Sequence, residues 1–145
     1  MTAYATTEEA YAYADLRKPI TIASVDLERY LTIATDMMDA LRYTGTLVSG
    51  QERKFPRVED EGIIPTGIKN ACIENALSLI DGIDVDLEYE NLTMISQSYA
   101  NIRSTYDRST VPAHIAARIP SLAAWRLMQP FLPDPREIGF NSIRS

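Results

Sequence analysis

Cysteine and histidine are nearly missing from this chain, which has one of each, Cys72 and His114, in 145 residues. A single cysteine excludes an intramolecular disulfide, and the two residues together cannot build an ordinary structural zinc site. Cys72 falls on an apolar helical stripe, where a free thiol behaves as a small core residue. His114 has no second histidine, and no Ser or Cys sits in a recognisable nucleophile turn, so no catalytic triad can be assembled around it. The six glycines match neither a phosphate-cradling loop followed by Lys-Ser/Thr nor the dinucleotide-binding spacing. No apolar run approaches the ~20 residues that span a bilayer. The N-terminus also lacks the basic-then-apolar layout of a secretory signal. The expectation is therefore a protein made in the cytoplasm, with no membrane partner. Basic charge is also in deficit: the formal net charge is -6, which opposes a firm grip on nucleic acid through phosphate contacts. A protein that surrounds DNA without holding it stays open.

What is present is 46% hydrophobic residues, enough in a chain of this length to close one core. The spacing of those residues predicts mostly helix. Thr6 and Glu9 stand at a capping-box interval, and a first helix is expected from about Thr7 to Arg17 with Ala10, Tyr13 and Ala14 facing inward. From Val25 to Tyr43 the residues Leu27, Leu31, Ala34, Met38 and Leu41 recur every three or four positions, giving a second amphipathic helix that Gly45 would stop. Pro65 suits the first turn of a third helix, whose buried face would carry Ile68, Cys72, Ala76 and Leu79 or Ile80.

Beyond Gly82 the pattern changes. Asp84, Asp86, Glu88 and Glu90 alternate with Val85, Leu87 and Tyr89, which reads as a strand with acids on one side. The polar stretch that follows reads as an irregular turn, so 84–106 is expected to be a polar loop or β-hairpin insertion. The acidic run misses the spacing of a calcium-binding loop, and a solvated acidic face is the better reading. Pro112 to Met128 is helical in character, with Pro120 set to kink or split it. The proline-rich tail has no amphipathic period and reads as an extended arm. The fold class is thus all-α, a small bundle of about four helices, with one domain over 1–132 and an arm over 133–145.

Between the second and third helices lies GQERKFPRVEDEGIIP. Phe55 is suited to plug the end of the bundle, Pro56 fixes the chain direction, and Arg57 is expected to reach a carboxylate on its own helices or a neighbouring subunit's, Asp36 or Glu74 being candidates. Ile63, Ile64 and Pro65 would set the entry of the third helix as a hydrophobic staple. With Gln51, the residues Phe55, Pro56 and Arg57 form a structural strap or a subunit interface. Nothing in the chain singles out a pair of carboxylates for acid/base work, and no enzymatic role is expected. No cofactor is implied.

The order of several weak motifs resembles the head–tail connector, or head-completion adaptor, proteins of tailed bacteriophages, including phage proteins labelled DnaT-like single-stranded-DNA-binding proteins. The matching positions are Ala34, Thr35, Asp36, Tyr43, Gly45, Gln51, Phe55, Pro56 and Arg57, then Pro65, Lys69, Ala71, Glu74 and Ala76. The likeness covers about 4 to 80 well and the rest in outline. Phe55 stands where many relatives carry tryptophan, and the arm is longer and richer in proline than in those relatives. The resemblance implies a structural virion protein. It would form a ring, twelvefold by symmetry with the portal, that links the capsid vertex to a tail or stopper protein while DNA passes through. In that reading Asp84, Asp86, Glu88 and Glu90 are candidate lumen acids. The arm residues Ile138, Phe140, Ile143 and Arg144 would dock on the portal or tail. The alternative is a single-stranded-DNA-binding module, for which Arg103 and Arg108 near Tyr99 and Tyr106 are the one aromatic-basic cluster.

Overall fold

The computed structural model describes residues 3–102 and 111–133, leaving aside the side chains of 95–102. Six helices account for most of this, and the described residues contain no strand. They are α1 (Thr7–Asp15), α2 (Ser24–Asp39), α3 (Thr66–Ile80), α4 (Val85–Ile102), α5 (Ala113–Ala116) and α6 (Leu122–Met128), with 3-10 turns at Val58–Asp60 and Gln129–Phe131. Among the described residues no helix is long and apolar enough to cross a membrane.

The start of α1 follows from its cap. The Thr6 hydroxyl accepts from the Glu9 amide at 3.1 Å, and the Glu9 carboxylate accepts from the Thr6 amide at 3.0 Å. Ala10 and Ala14 are fully buried and Tyr13 is half-buried.

On α2 the stripe Leu27, Leu31, Ala34 and Met38 is fully buried, but the helix ends at Asp39 rather than near Tyr43. Its last carbonyls find partners that turn the chain away. The Leu41 amide and the Tyr43 hydroxyl both donate to the Met38 carbonyl, so the Tyr43 ring folds back into the core. Gly45 lies in the following loop, with φ of +87°; a Cβ there would stand 2.8 Å from a Glu59 carboxylate oxygen.

Helix α3 is the centre of the bundle, packed on α2 and on α6. It therefore buries two faces rather than one stripe: Ile68, Ala71, Cys72, Ile73, Asn75 and Ala76. Small residues let neighbours approach, and at Gly67 a Cβ would come within 3.0 Å of the Phe131 ring. Asp81 and Gly82 end α3 through a bond from the Ile83 amide to the Ser78 carbonyl, with Gly82 at φ +89°.

The expected loop or hairpin over 84–106 is replaced by a helix. Val85, Tyr89 and Leu92 stand at i, i+4 and i+7, and it is this spacing that the fold uses: Val85 is buried while Tyr89 and Leu92 are half-buried. The Asp84 carboxylate caps α4 by accepting from the Leu87 amide at 3.1 Å, and Asp86 and Glu88 occupy the first turn. Carboxylates there are favoured by the free amides and the helix dipole. The same acids that imitate a strand face in the sequence are those a helix start selects. Residues 103–110 lie outside the described residues.

The segment with Pro120 is split, as its position predicts. Helix α5 stops at Ala116, and α6 begins behind Ser121, whose hydroxyl accepts from the Ala124 amide at 3.1 Å. The tail does not leave the core at once. Gln129–Phe131 form a 3-10 turn, and the Phe131 carbonyl accepts from the Thr44 amide at 2.9 Å.

Candidate functional site

Two places hold most of the polar chemistry. The first is the knot formed by the loop between α2 and α3 with the N-terminal segment. Phe55, 1% exposed, meets the rings of Tyr4, Tyr43 and Phe131 edge-on, with centroids 5.8, 4.7 and 5.8 Å away. Its bond to Pro56 is cis. Gln51 clasps the loop by donating to the carbonyls of Arg53 at 2.7 Å and Pro56 at 2.9 Å.

Arg57 is buried and finds no acid on α2 or α3. Its Nη2 donates to the Tyr43 carbonyl at 2.8 Å, its Nε to Thr44 at 3.0 Å and its Nη1 to Lys54 at 3.3 Å. The expected partners are engaged elsewhere: Asp36 and Asp39 pair with Arg53, and Glu74 accepts from the Tyr13 hydroxyl. The guanidinium fork replaces main-chain partners that the irregular loop cannot supply. Of the proposed staple, Ile63 is exposed while Ile64 packs against the core.

Tyr4 completes the knot. Its hydroxyl donates to Asp39 and accepts from the amides of Lys54 at 3.0 Å and Phe55 at 3.2 Å. Burial, with Asp39 beside it, pushes the phenol well above its ordinary range. The Tyr4 amide donates to the Thr35 hydroxyl, which in turn donates to the Leu31 carbonyl and touches Cys72 Sγ at 3.3 Å. Burial raises the Cys72 thiol, so it stays protonated and inert as a nucleophile.

The second place is a cleft of about 400 Å³ between the α1–α2 connection and the C-terminal half of α3. Ile20, Leu77 and Ile80 give it apolar walls; Arg17, Lys18, Glu74, Ser78 and Asp81 supply its polar lining. Tyr13 is bound to this lining, donating to Glu74 Oε1 at 2.8 Å. Burial first, and Glu74 second, push its phenol up to about 12. The Arg17 guanidinium lies 4.1 Å from the centre of the Tyr13 ring and is otherwise exposed. Lys18 meets Asp81 at 3.1 Å with both side chains mostly in solvent. Such an exposed pair is worth only about 0.2–1 kcal/mol and yields readily to a better partner.

A second arginine–tyrosine stack joins α4 to the turn that follows α5. Arg118, at φ +64°, places its guanidinium 3.6 Å from the centre of the Tyr89 ring. It also pairs with Asp86 at 3.1 Å. Burial lowers the basicity of His114 nearby, and Glu88 works against that shift. Of the four proposed lumen acids, Asp84 is thus a helix cap, Asp86 an ion-pair partner and Glu88 a neighbour of His114, while Glu90 is exposed. Among the described residues, no group of three His, Cys, Asp or Glu side chains could hold a metal ion. The arm residues Ile138, Phe140, Ile143 and Arg144, and the pair Arg103 and Arg108 with Tyr106, lie outside the described residues; Tyr99 is on α4, its side chain likewise outside.

The family described as "Putative DnaT-like ssDNA binding protein" matches residues 1–137. The chain belongs to this family. No curated protein and no solved structure matches it. The match corrects the connector resemblance, since what it supports is a DnaT-like single-stranded-DNA-binding family and not a head–tail connector. The ring under the portal, the portal, tail and stopper partners, and DNA passing without being bound fall with it. The physical reason is visible in the residues that carried the likeness. Ala34, Thr35, Tyr43, Phe55, Arg57, Ala71 and Ala76 are all buried. They report how the bundle packs, and packing does not specify what the surface binds.

The cleft was not anticipated from the sequence. Its signal was the Tyr13-x-x-x-Arg17 interval, which puts ring and guanidinium on one helical face, followed directly by Lys18.

Proposed function

We propose that this chain binds single-stranded DNA, as a binding protein and not a catalyst, and that the cleft beside Arg17 and Lys18 is its contact surface. The observation that carries the reading is the family match over residues 1–137. The geometry supports it in kind. Proteins that hold single strands combine cations along the backbone with flat groups on which bases stack. Arg17 offers such a group: its guanidinium, on an exposed side chain, rests on the Tyr13 ring, and a base can stack on a guanidinium plane of this kind. Lys18 stands next to it, held only by an exposed ion pair.

The net charge of -6 sets the strength of that grip. With two cations at the cleft, few phosphates are neutralised. The logarithm of the affinity should fall with the logarithm of salt at a slope of about -1.4, counting ~0.7 for each phosphate on a single strand. Titration of a fluorescently labelled single strand by anisotropy, at a series of salt concentrations, tests this. The expected result is saturable binding with that shallow slope, weakened by Arg17→Ala with Lys18→Ala, and weaker binding to duplex of the same sequence. Absence of binding at low salt, or equal binding to duplex, refutes the reading.

A further inference from the structure

The lining of the cleft specifies more than a cation site. We propose that it seats one unstacked base bearing an exocyclic amine, cytosine in preference to thymine, with the Glu74 carboxylate accepting from that amine. The inference deepens the single-stranded-DNA reading and rests on it.

Size and wall chemistry come first. A cleft of about 400 Å³ lies within the roughly 300–1,000 Å³ of sites that enclose small ligands and has room for one nucleotide unit. Ile20, Leu77 and Ile80 offer apolar surface to a base, while Arg17 and Lys18 belong to the same lining, where flanking phosphates can reach them. A base that stays in its stack cannot enter, so the strand must be unpaired there.

Glu74 supplies the selectivity. It is half-buried in the cleft lining, and the Tyr13 hydroxyl engages Oε1. An ionised carboxylate only accepts, and it has about four lone-pair positions, so one bond from Tyr13 leaves it able to take more. Cytosine presents its N4 amine as a donor, whereas thymine presents the O4 carbonyl at the same position. One pyrimidine satisfies the carboxylate and the other sets two acceptors face to face. The two bases are close in size, so the contrast isolates the hydrogen bond from the fit.

The test uses the full chain and labelled deoxycytidine and thymidine homopolymers of equal length, titrated by anisotropy at low salt. The deoxycytidine strand should bind roughly tenfold more tightly, the scale of one base-edge contact. Glu74→Gln keeps an acceptor for Tyr13 and adds a donor, so the preference should shrink to about twofold or less, since an amide serves either base. Lys18→Ala should weaken both strands alike. Equal affinity of the wild type for the two strands, or a preference that survives Glu74→Gln, overturns the inference while leaving the single-stranded-DNA reading standing. Binding to neither strand overturns both.

Discussion

Replacing Arg57 by alanine removes three donors at once, and the structure indicates how much each is worth. The Tyr43 carbonyl, 2.8 Å from Nη2, belongs to a buried residue, so no water replaces the lost bond. The Thr44 carbonyl, 3.0 Å from Nε, belongs to an exposed residue and rehydrates. The bond to Lys54 at 3.3 Å is long and contributes least. A hydrogen bond from a charged donor contributes about 1.5–3 kcal/mol net, and leaving a buried acceptor unpaired costs a similar amount. One fully counted bond and two discounted ones give a loss of about 2–4 kcal/mol. For a chain of this size that lowers Tm by roughly 4–16 °C, at about 2–4 °C per kcal/mol. Urea and thermal unfolding followed by circular dichroism would measure it. Arg57→Lys, which presents one compact ammonium in place of a fork, should fall between the wild type and alanine. If both variants unfold within about 0.5 kcal/mol of the wild type, the ordinary surface range, the carbonyl cradle is not what holds this loop.

Two further changes probe the same scaffold. Tyr4→Phe keeps the ring against Phe55 and removes the hydroxyl that serves Asp39 and the Lys54 and Phe55 amides. It should cost about 1–3 kcal/mol in urea unfolding, the range for orphaned buried donors, and a neutral result would mean those amides have other partners. Glu9→Gln addresses pH. Burial alone would raise the Glu9 carboxyl, but the Lys69 ammonium and the Thr6 amide and hydroxyl outweigh it and hold the group below its ordinary value of 4.5. A lowered carboxyl stabilises the fold above that ordinary value, and the benefit is lost as pH falls through the folded value. The variant, which still completes a capping box, should therefore show a flatter loss of stability with acid below about pH 4.5; parallel acid limbs would refute the assignment.

The fold was legible wherever a helix faces one layer of neighbours. The stripe on α2 and the cap of α1 follow directly from spacing. Legibility failed where two patterns share the same residues. Acids two apart at 84, 86, 88 and 90 satisfy both a strand face and a charged helix start, and only the wider interval from Val85 through Tyr89 to Leu92 separates them. It failed again at Arg57, where charge suggested a carboxylate. In an irregular loop, unpaired carbonyls are as good a destination for a guanidinium, and a sequence does not reveal which carbonyls a helix ladder has left free.

The same distinction explains why the candidate site was harder to find than the fold. Half of the residues that carried the connector likeness are buried, where shape constrains them, and interior residues say little about ligands. The cleft depends on residues that look ordinary one at a time: an exposed arginine, an exposed lysine, a half-buried glutamate and a tyrosine. What sets them apart is that Tyr13 is tied at both ends. Its ring supports Arg17, just beyond the end of α1, and its hydroxyl is fixed to Glu74 on α3. One side chain thus holds a cationic stacking surface and an acceptor in a fixed relation across two helices. Loss of the Tyr13 ring should therefore weaken both functions together, whereas loss of its hydroxyl alone should leave the Arg17 stack in place. Comparing Tyr13→Ala with Tyr13→Phe in the strand-binding titration separates these outcomes. Equal binding by the two variants would mean that the Arg17 stack does not depend on the tyrosine ring beneath it.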